Sequence, residues 1–206
     1  MRVAIVGGTG DFGLALAQRL VEAGDEVVIG SRDPKRAGEK AREVGAAAGA
    51  ANEAAVGTAD LVVLATNADA ALSTISAIAD ALGETPLLSV ASELRFAPGG
   101  ARPGSDPRSL AERAQELVRG AVVAGLHSLA AGKLAHGRPD EDAFVCGDDA
   151  AAKSLAIELA AKVVAGRALD AGPLASARAL EGMTAVIVNL NKRYKGHAGV
   201  RITGLP

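Results

Sequence analysis

Three glycines spaced G-x-G-x-x-G, Gly8, Gly10 and Gly13, are the residues of this chain best suited to hold an anion. They follow the apolar run Val3-Ala4-Ile5-Val6 and open a helical stretch, so the spacing predicts strand, tight turn and helix. Gly8 permits the turn, Gly10 lets backbone approach a pyrophosphate with no Cβ in the way, and Gly13 lets helix pack on strand. The free amides of the helix start, from Thr9 through Asp11 to Phe12, then face the anion with the helix dipole behind them. A second strand follows and ends Gly30-Ser31-Arg32. An acid at that strand end would bond a free ribose 2′-hydroxyl and repel a 2′-phosphate. Ser31 can instead donate to a phosphate, Arg32 can pair with it, and Lys35 and Arg36 add positive charge one turn on. The expectation is a dinucleotide site that prefers NADP to NAD.

The elements that must position these groups alternate along the chain. Strands are expected at 2–6, 26–30, 60–65, 86–90, 121–125, 143–147 and 167–170. Helices are expected at 11–23, 34–47, 68–82, 107–118, 149–164 and 174–193. The first, third and fifth strands are continuous apolar runs, as in a parallel sheet covered on both faces. The fold class expected is therefore α/β: a Rossmann-type, doubly wound, mostly parallel sheet with a small C-terminal helical extension. Residues 1–125 are expected to form the dinucleotide-binding domain, and 126–206 a dependent part that completes the sheet and the substrate pocket. Local signals mark several boundaries. Gly24 can end the first helix. Asp33-Pro34 and Asp106-Pro107 read as N-cap and first helical residue. Asp148-Asp149 opens a helix, so capping is its expected role. Residues 97–106, rich in Pro and Gly, read as a mobile loop beside the site, and the Ala/Gly tract at 45–51 as low complexity.

Composition narrows the function classes. A net charge of −2 carries no global signal for nucleic acid. No apolar run approaches the roughly 20 residues of a membrane span, and the start is too short for a secretory core. The single cysteine, Cys146, cannot form an internal disulfide, which suits a reducing cytoplasm. No His/Cys/Asp cluster has ligand spacing, so no metal is expected. Aromatic side chains are few, so a flat ring must stack mainly on aliphatic groups or on another ring.

Gly7-Gly8-Thr9-Gly10 with Gly13, then Gly30-Ser31-Arg32, resembles the NADPH:F420 oxidoreductases. Three later segments carry the same likeness: Val145-Cys146-Gly147-Asp148-Asp149, Leu169-Asp170-Ala171-Gly172-Pro173-Leu174, and the tail Asn191 to Gly199. The resemblance implies hydride transfer between NADP(H) and coenzyme F420, an 8-hydroxy-5-deazaflavin. It implies that Thr9, Gly10, Asp11 and Phe12 wrap the pyrophosphate, and that Ser31, Arg32 and Arg36 hold the 2′-phosphate. Thr66 and Asn67 would lie beside the nicotinamide ribose, with Ala68 and Leu72 further along that edge. Leu94 and Ala131 would line the nicotinamide–deazaflavin junction. The chain departs from the family's usual pattern at Asn67-Ala68 and across Ser89 to Leu94, where it has no proline.

Hydride transfer requires two rings held in near contact, without a covalent nucleophile. Small residues at strand ends, such as Ala65, Ala91 and Ala130, leave room for such a stack. A donor near the deazaflavin edge would help, and His127 with Ser128 beside it is the candidate; a structural histidine holding a loop is the other reading. The basic tail, including Lys192, Arg193 and Arg201, is a candidate contact for the coenzyme's acidic tail. The expected partners are small molecules, with no nucleic acid and no membrane. The last helix (Leu180, Met183, Val186, Ile187, Leu190) is too apolar all round for a surface helix, so it is either core or a subunit contact, and a homodimer is expected. A reductase of another acceptor, such as an imine or a flavin, and a non-catalytic NADP-binding sensor are the alternative functions.

Overall fold

The computed structural model describes residues 1–205. Its element order is β1 (Arg2–Val6), α1 (Asp11–Glu22), β2 (Glu26–Ser31), α2 (Pro34–Val44), β3 (Ala48–Ala51), α3 (Asn52–Val56), β4 (Leu61–Leu64) and α4 (Ala68–Leu82). Then come β5 (Leu87–Ser89), β6 (Leu94–Ala97), β7 (Gly100–Pro103), α5 (Leu110–Gln115), β8 (Val122–Gly125), α6 (Ala131–Ala135), β9 (Ala143–Gly147), α7 (Ala150–Val163), β10 (Ala168–Asp170), a 3₁₀ turn (Leu174–Ser176) and α8 (Ala177–Tyr194).

Eight strands form one sheet in the order β10-β9-β8-β5-β4-β1-β2-β3. Every pairing is parallel except β8 with β9. Strand residues feed two cores by turns. Val3 and Ile5, Val27 and Ile29, Leu61 and Val63 pack on one face; Ala4 and Val6, Val28, Val62 and Leu64 pack on the other. Helices α1, α2 and α7 cover the first face, and α3, α4, α5 and α8 the second. Burial on both faces is why these strands read as unbroken apolar runs. The chain order reverses at β1: β2 and β3 lie to one side and β4 to the other. Such a switch point opens a crevice at the strands' C-terminal ends.

Several boundaries follow the sequence reasoning. The Asp33 carboxylate accepts from the amides of Lys35 and Arg36 at the start of α2. Asp149 accepts from the Ala152 amide and caps α7. Gly24 takes φ +85° just past α1. Asp106 does not start the fourth of the expected helices. Its carboxylate bonds the Arg108 amide in a turn, and Ser109 with Glu112 forms a reciprocal capping box that starts α5.

Two segments differ from the expectation. The tract at 45–51 contains the edge strand β3, paired to β2 with Ser31 opposite Ala51. Its small residues meet a packing demand: a Cβ on Gly49 would clash with the Ala37 carbonyl of α2. Residues 97–106 are not a loose loop. They contain most of the antiparallel hairpin β6–β7, held on α8 by the Asn189 amide, which accepts from Ala101 N–H (2.7 Å) and donates to Ala101 C=O (2.8 Å). Among the described residues, no helix is long and apolar enough to cross a membrane.

Candidate active site

The crevice at the ends of β1 and β4 is a cleft of about 350 Å³. The glycine turn supplies one wall through Gly7, Thr9 and Gly10, and the β2 end another through Ser31, Arg32, Asp33 and Arg36. Asn52, Thr66 and Asn67 face them, with Ala70 and Thr74 of α4 beyond. Gly7 is the true left-handed residue of the turn (φ +81°), and a Cβ there would sit 2.8 Å from the Ala65 carbonyl oxygen. Gly8 and Gly13 close the packing; a Cβ on Gly13 would lie 2.8 Å from the Gly7 carbonyl oxygen. Gly10 differs: only the Gly7 carbonyl lies within 4 Å of its Cβ position. A side chain at Gly10 would enter open space beside the cleft that Gly10 lines.

The cations are arranged around this cleft. Arg32 is exposed and forms no ion pair among the described residues. Arg36 reaches back from α2 and donates to the Thr9 carbonyl at 3.3 Å. The Ser31 hydroxyl, buried, accepts from the Asp33 amide at 3.2 Å. Asp11 does not line the cleft. It lies in a separate groove with Leu14 and Gln18 of α1 and Glu43 at the end of α2. The acid beside the expected pyrophosphate therefore faces the other side of the helix start.

A second cavity of about 260 Å³ continues from the cleft, sharing Thr66 and Asn67. Phe12, Ala68, Leu94, His127 and Thr184 line it together with Val90, Ala91 and Ser92. Leu126 has φ +64°, a strained turn for a branched residue, and it delivers the chain from β8 into this cavity at His127. Thr184 of α8 donates to the His127 carbonyl at 2.9 Å. Its single proton is thereby used, so in the 2.8 Å contact between Ser92 and Thr184 it is Ser92 that donates. Neither ring nitrogen of His127 has a partner among the described residues, and Thr66 Oγ1 is likewise buried and unpartnered. Burial pushes the His127 pKa down to about 4, with the Ala91 backbone pulling weakly the other way. At neutral pH the imidazole is uncharged and offers one donor and one acceptor.

Three expected site residues stand elsewhere. Ser128 is buried, but its hydroxyl donates to the Asp142 carbonyl at 3.2 Å and does not line the cavity. Ala131 starts α6 in the groove that holds Asp11, away from the junction expected for it. Leu72, partly buried on α4, packs against the core and lines neither the cleft nor the second cavity. Cys146 is fully buried, and burial pushes its thiol up to about 12, so it stays protonated. Among the described residues, no group of three or more His, Cys, Asp or Glu side chains could hold a metal ion.

A family model described as NADP oxidoreductase coenzyme F420-dependent matches residues 2–93, which span the glycine turn, the β2 end and the first wall of the second cavity. The F420-dependent NADP reductase of Methanothermobacter thermautotrophicus is 37% identical over 100% of this chain and 96% of its own. The chain belongs to the F420-dependent NADP reductase family. The enzyme of that name from Methanothermobacter marburgensis is 35% identical, with both chains covered in full. A crystal structure of an Arthrobacter sp. FB24 protein, provisionally assigned the same activity, superposes with a TM-score of 0.86 at 29% identity, covering 99% of this chain and 100% of the other. In this member of the F420-dependent NADP reductases, the residues that sequence reasoning missed are those brought in from afar. Asn52 arrives from the unread β3–α3 unit, and Thr184 lies 57 residues from its His127 partner. Neither sits in a motif. Only Thr74, one helical turn beyond Ala70, had a local signal in its 3.6-residue spacing.

Proposed function

We propose that this protein transfers a hydride between NADP(H) and coenzyme F420, with the nucleotide in the cleft and the deazaflavin in the adjoining cavity. The observation that carries the reading is the continuity of the two spaces: Thr66 and Asn67 border both. The unfilled polar atoms fit the two groups. Thr66 Oγ1 and both His127 nitrogens lack partners where a ribose and a polar ring edge would lie. Gly10 leaves a Cβ-sized opening at the helix start.

In this reading, the turn at Gly8 and the amides from Thr9 to Phe12 hold the pyrophosphate, with Asp11 contributing only backbone. Ser31, Arg32 and Arg36 hold the 2′-phosphate. Thr66 and Asn67 position the nicotinamide ribose, and Ala68 and Leu94 line the junction. When bound, NADPH supplies the hydride and the oxidised deazaflavin accepts it with a proton. Neutral His127 hydrogen-bonds the deazaflavin edge and orients it. Thr184 and Ser92 fix the His127 backbone, and Ser128 pins the segment after it to Asp142. Residues 1–125 provide the nucleotide half, and 126–206 complete the acceptor pocket. No lysine or arginine lines the second cavity to pair with the carboxylate of an acid-bearing imine. Mixing the purified protein with NADPH and oxidised F420 should bleach the deazaflavin visible band; no loss at micromolar enzyme would overturn the proposal.

We also propose a homodimer. Val186, Leu190 and Tyr194 form an exposed stripe at helical spacing on α8, and Phe96 on the hairpin docked to that helix is 74% exposed. Sedimentation velocity should give twice the chain mass, falling to one chain in Val186→Glu/Leu190→Lys; a single-chain mass for the parent protein refutes the dimer. The lone free thiol and use of a reduced nicotinamide support a cytoplasmic location, which cell fractionation checks. In the basic tail Arg201 pairs with Asp140 at 2.9 Å, while Lys192 and Arg193 line a groove with Gly99 and Gly100 of the hairpin.

A further inference from the structure

Asn52 is only 6% exposed, yet it lines the cleft, and its Oδ1 has no hydrogen-bond partner. That oxygen lies against Gly30, 3.0 Å from where a Cβ would be. The amide group is planar, so an oxygen turned to the Gly30 backbone leaves Nδ2 as the atom that can reach the cleft. The placement is set by β3. Its pairing puts Ala51 opposite Ser31, so Asn52, the next residue and the first of α3, follows directly beyond the Ser31 end of β2. Asp33, which shares this end of the cleft, uses Oδ1 to accept from two α2 amides.

We infer that Asn52 is a specificity-determining residue for the 2′-phosphorylated ribose, donating from Nδ2 to the phosphate between Ser31 and Arg32. The inference rests on the NADP reading of the cleft. A neutral donor suits this position. It adds a hydrogen bond to a phosphate that Arg32 and Arg36 already neutralise, and it tolerates the neighbouring Asp33 where another cation would be drawn to that acid. Burial makes the bond selective, because a wrongly paired group there is not rescued by water.

The test measures binding of adenosine 2′,5′-bisphosphate and of 5′-AMP by titration calorimetry, with no F420 present. Asn52→Asp keeps the side chain's size but replaces the donor with a charged acceptor. It should weaken the bisphosphate by about fiftyfold or more and 5′-AMP by less than about threefold. Asn52→Ala should weaken the bisphosphate by about fivefold to tenfold. Equal loss for both nucleotides, or no loss for either, overturns the role of Asn52. A parent protein that does not prefer the bisphosphate overturns the NADP reading instead. If Asn52→Asp fails to fold by thermal melting, Asn52→Ala and Asn52→Ser decide by the same ratio.

Discussion

Replacing Ser31 with Asp and Arg32 with Ala should raise KM for NADPH by about a hundredfold while leaving that for NADH within a few-fold. Bonds to charged groups contribute about 1.5–3 kcal/mol each, and exposure places Arg32 at the low end of that range. Two such losses come to about 3 kcal/mol, or two decades. The new carboxylate would add repulsion against the 2′-phosphate and a partner for an unphosphorylated ribose. The Ser31 hydroxyl also accepts from the Asp33 amide, and Asp at 31 retains an acceptor for it, so the start of α2 should survive. Steady-state kinetics with both nucleotides decide the matter. Retention of full NADPH preference would remove Ser31 and Arg32 from recognition.

His127→Ala should lower kcat by tenfold or more with KM for NADPH nearly unchanged, because the imidazole lies in the second cavity and not in the cleft. Its pKa of about 4 predicts that His127 contributes no inflection to the rate between pH 5.5 and 8. The same depression has a stability signature. The folded pKa is below the ordinary value of 6.5, so the unfolded chain binds the extra proton first as pH falls. The stabilisation is full above pH 6.5 and is lost between about 6.5 and 4. A shift of that size corresponds to about 3 kcal/mol across the interval. Melting curves of His127→Gln should lack this slope. Near-normal turnover in His127→Ala, or an unchanged slope in His127→Gln, would remove the buried neutral histidine from the account.

The glycine turn, the β2 end and the alternation of strands with helices were legible because their causes are local. Asp33 caps α2 through amides two and three residues away, and Gly10 and Gly13 act within one turn. The misread segments are those whose state is chosen by distant partners. Nothing in Ala48-Gly49-Ala50-Ala51 carries a period, yet β2 supplies a ladder and α2 a surface on which only glycine fits. The stretch around Ala101 looks like a loop from its prolines and glycines, and it is Asn189, 88 residues on, that binds its backbone. Ser128 and Ala131 follow His127 closely in sequence, but the turn at Leu126 sends the three in different directions: one into the cavity, one to Asp142 and one to a separate groove.

The residue order by itself determined the glycine turn and the β2 end that border the cleft, because a tight turn and a strand end are each set by a short run of neighbouring residues. The second cavity was decided only in three dimensions. Its walls come from β1's following helix, β4, β5, β8 and α8, and its key imidazole is neutral because those elements together exclude water from it. Desolvation and long-range hydrogen bonds have no spacing in sequence; they exist only once the sheet and α8 have closed around His127.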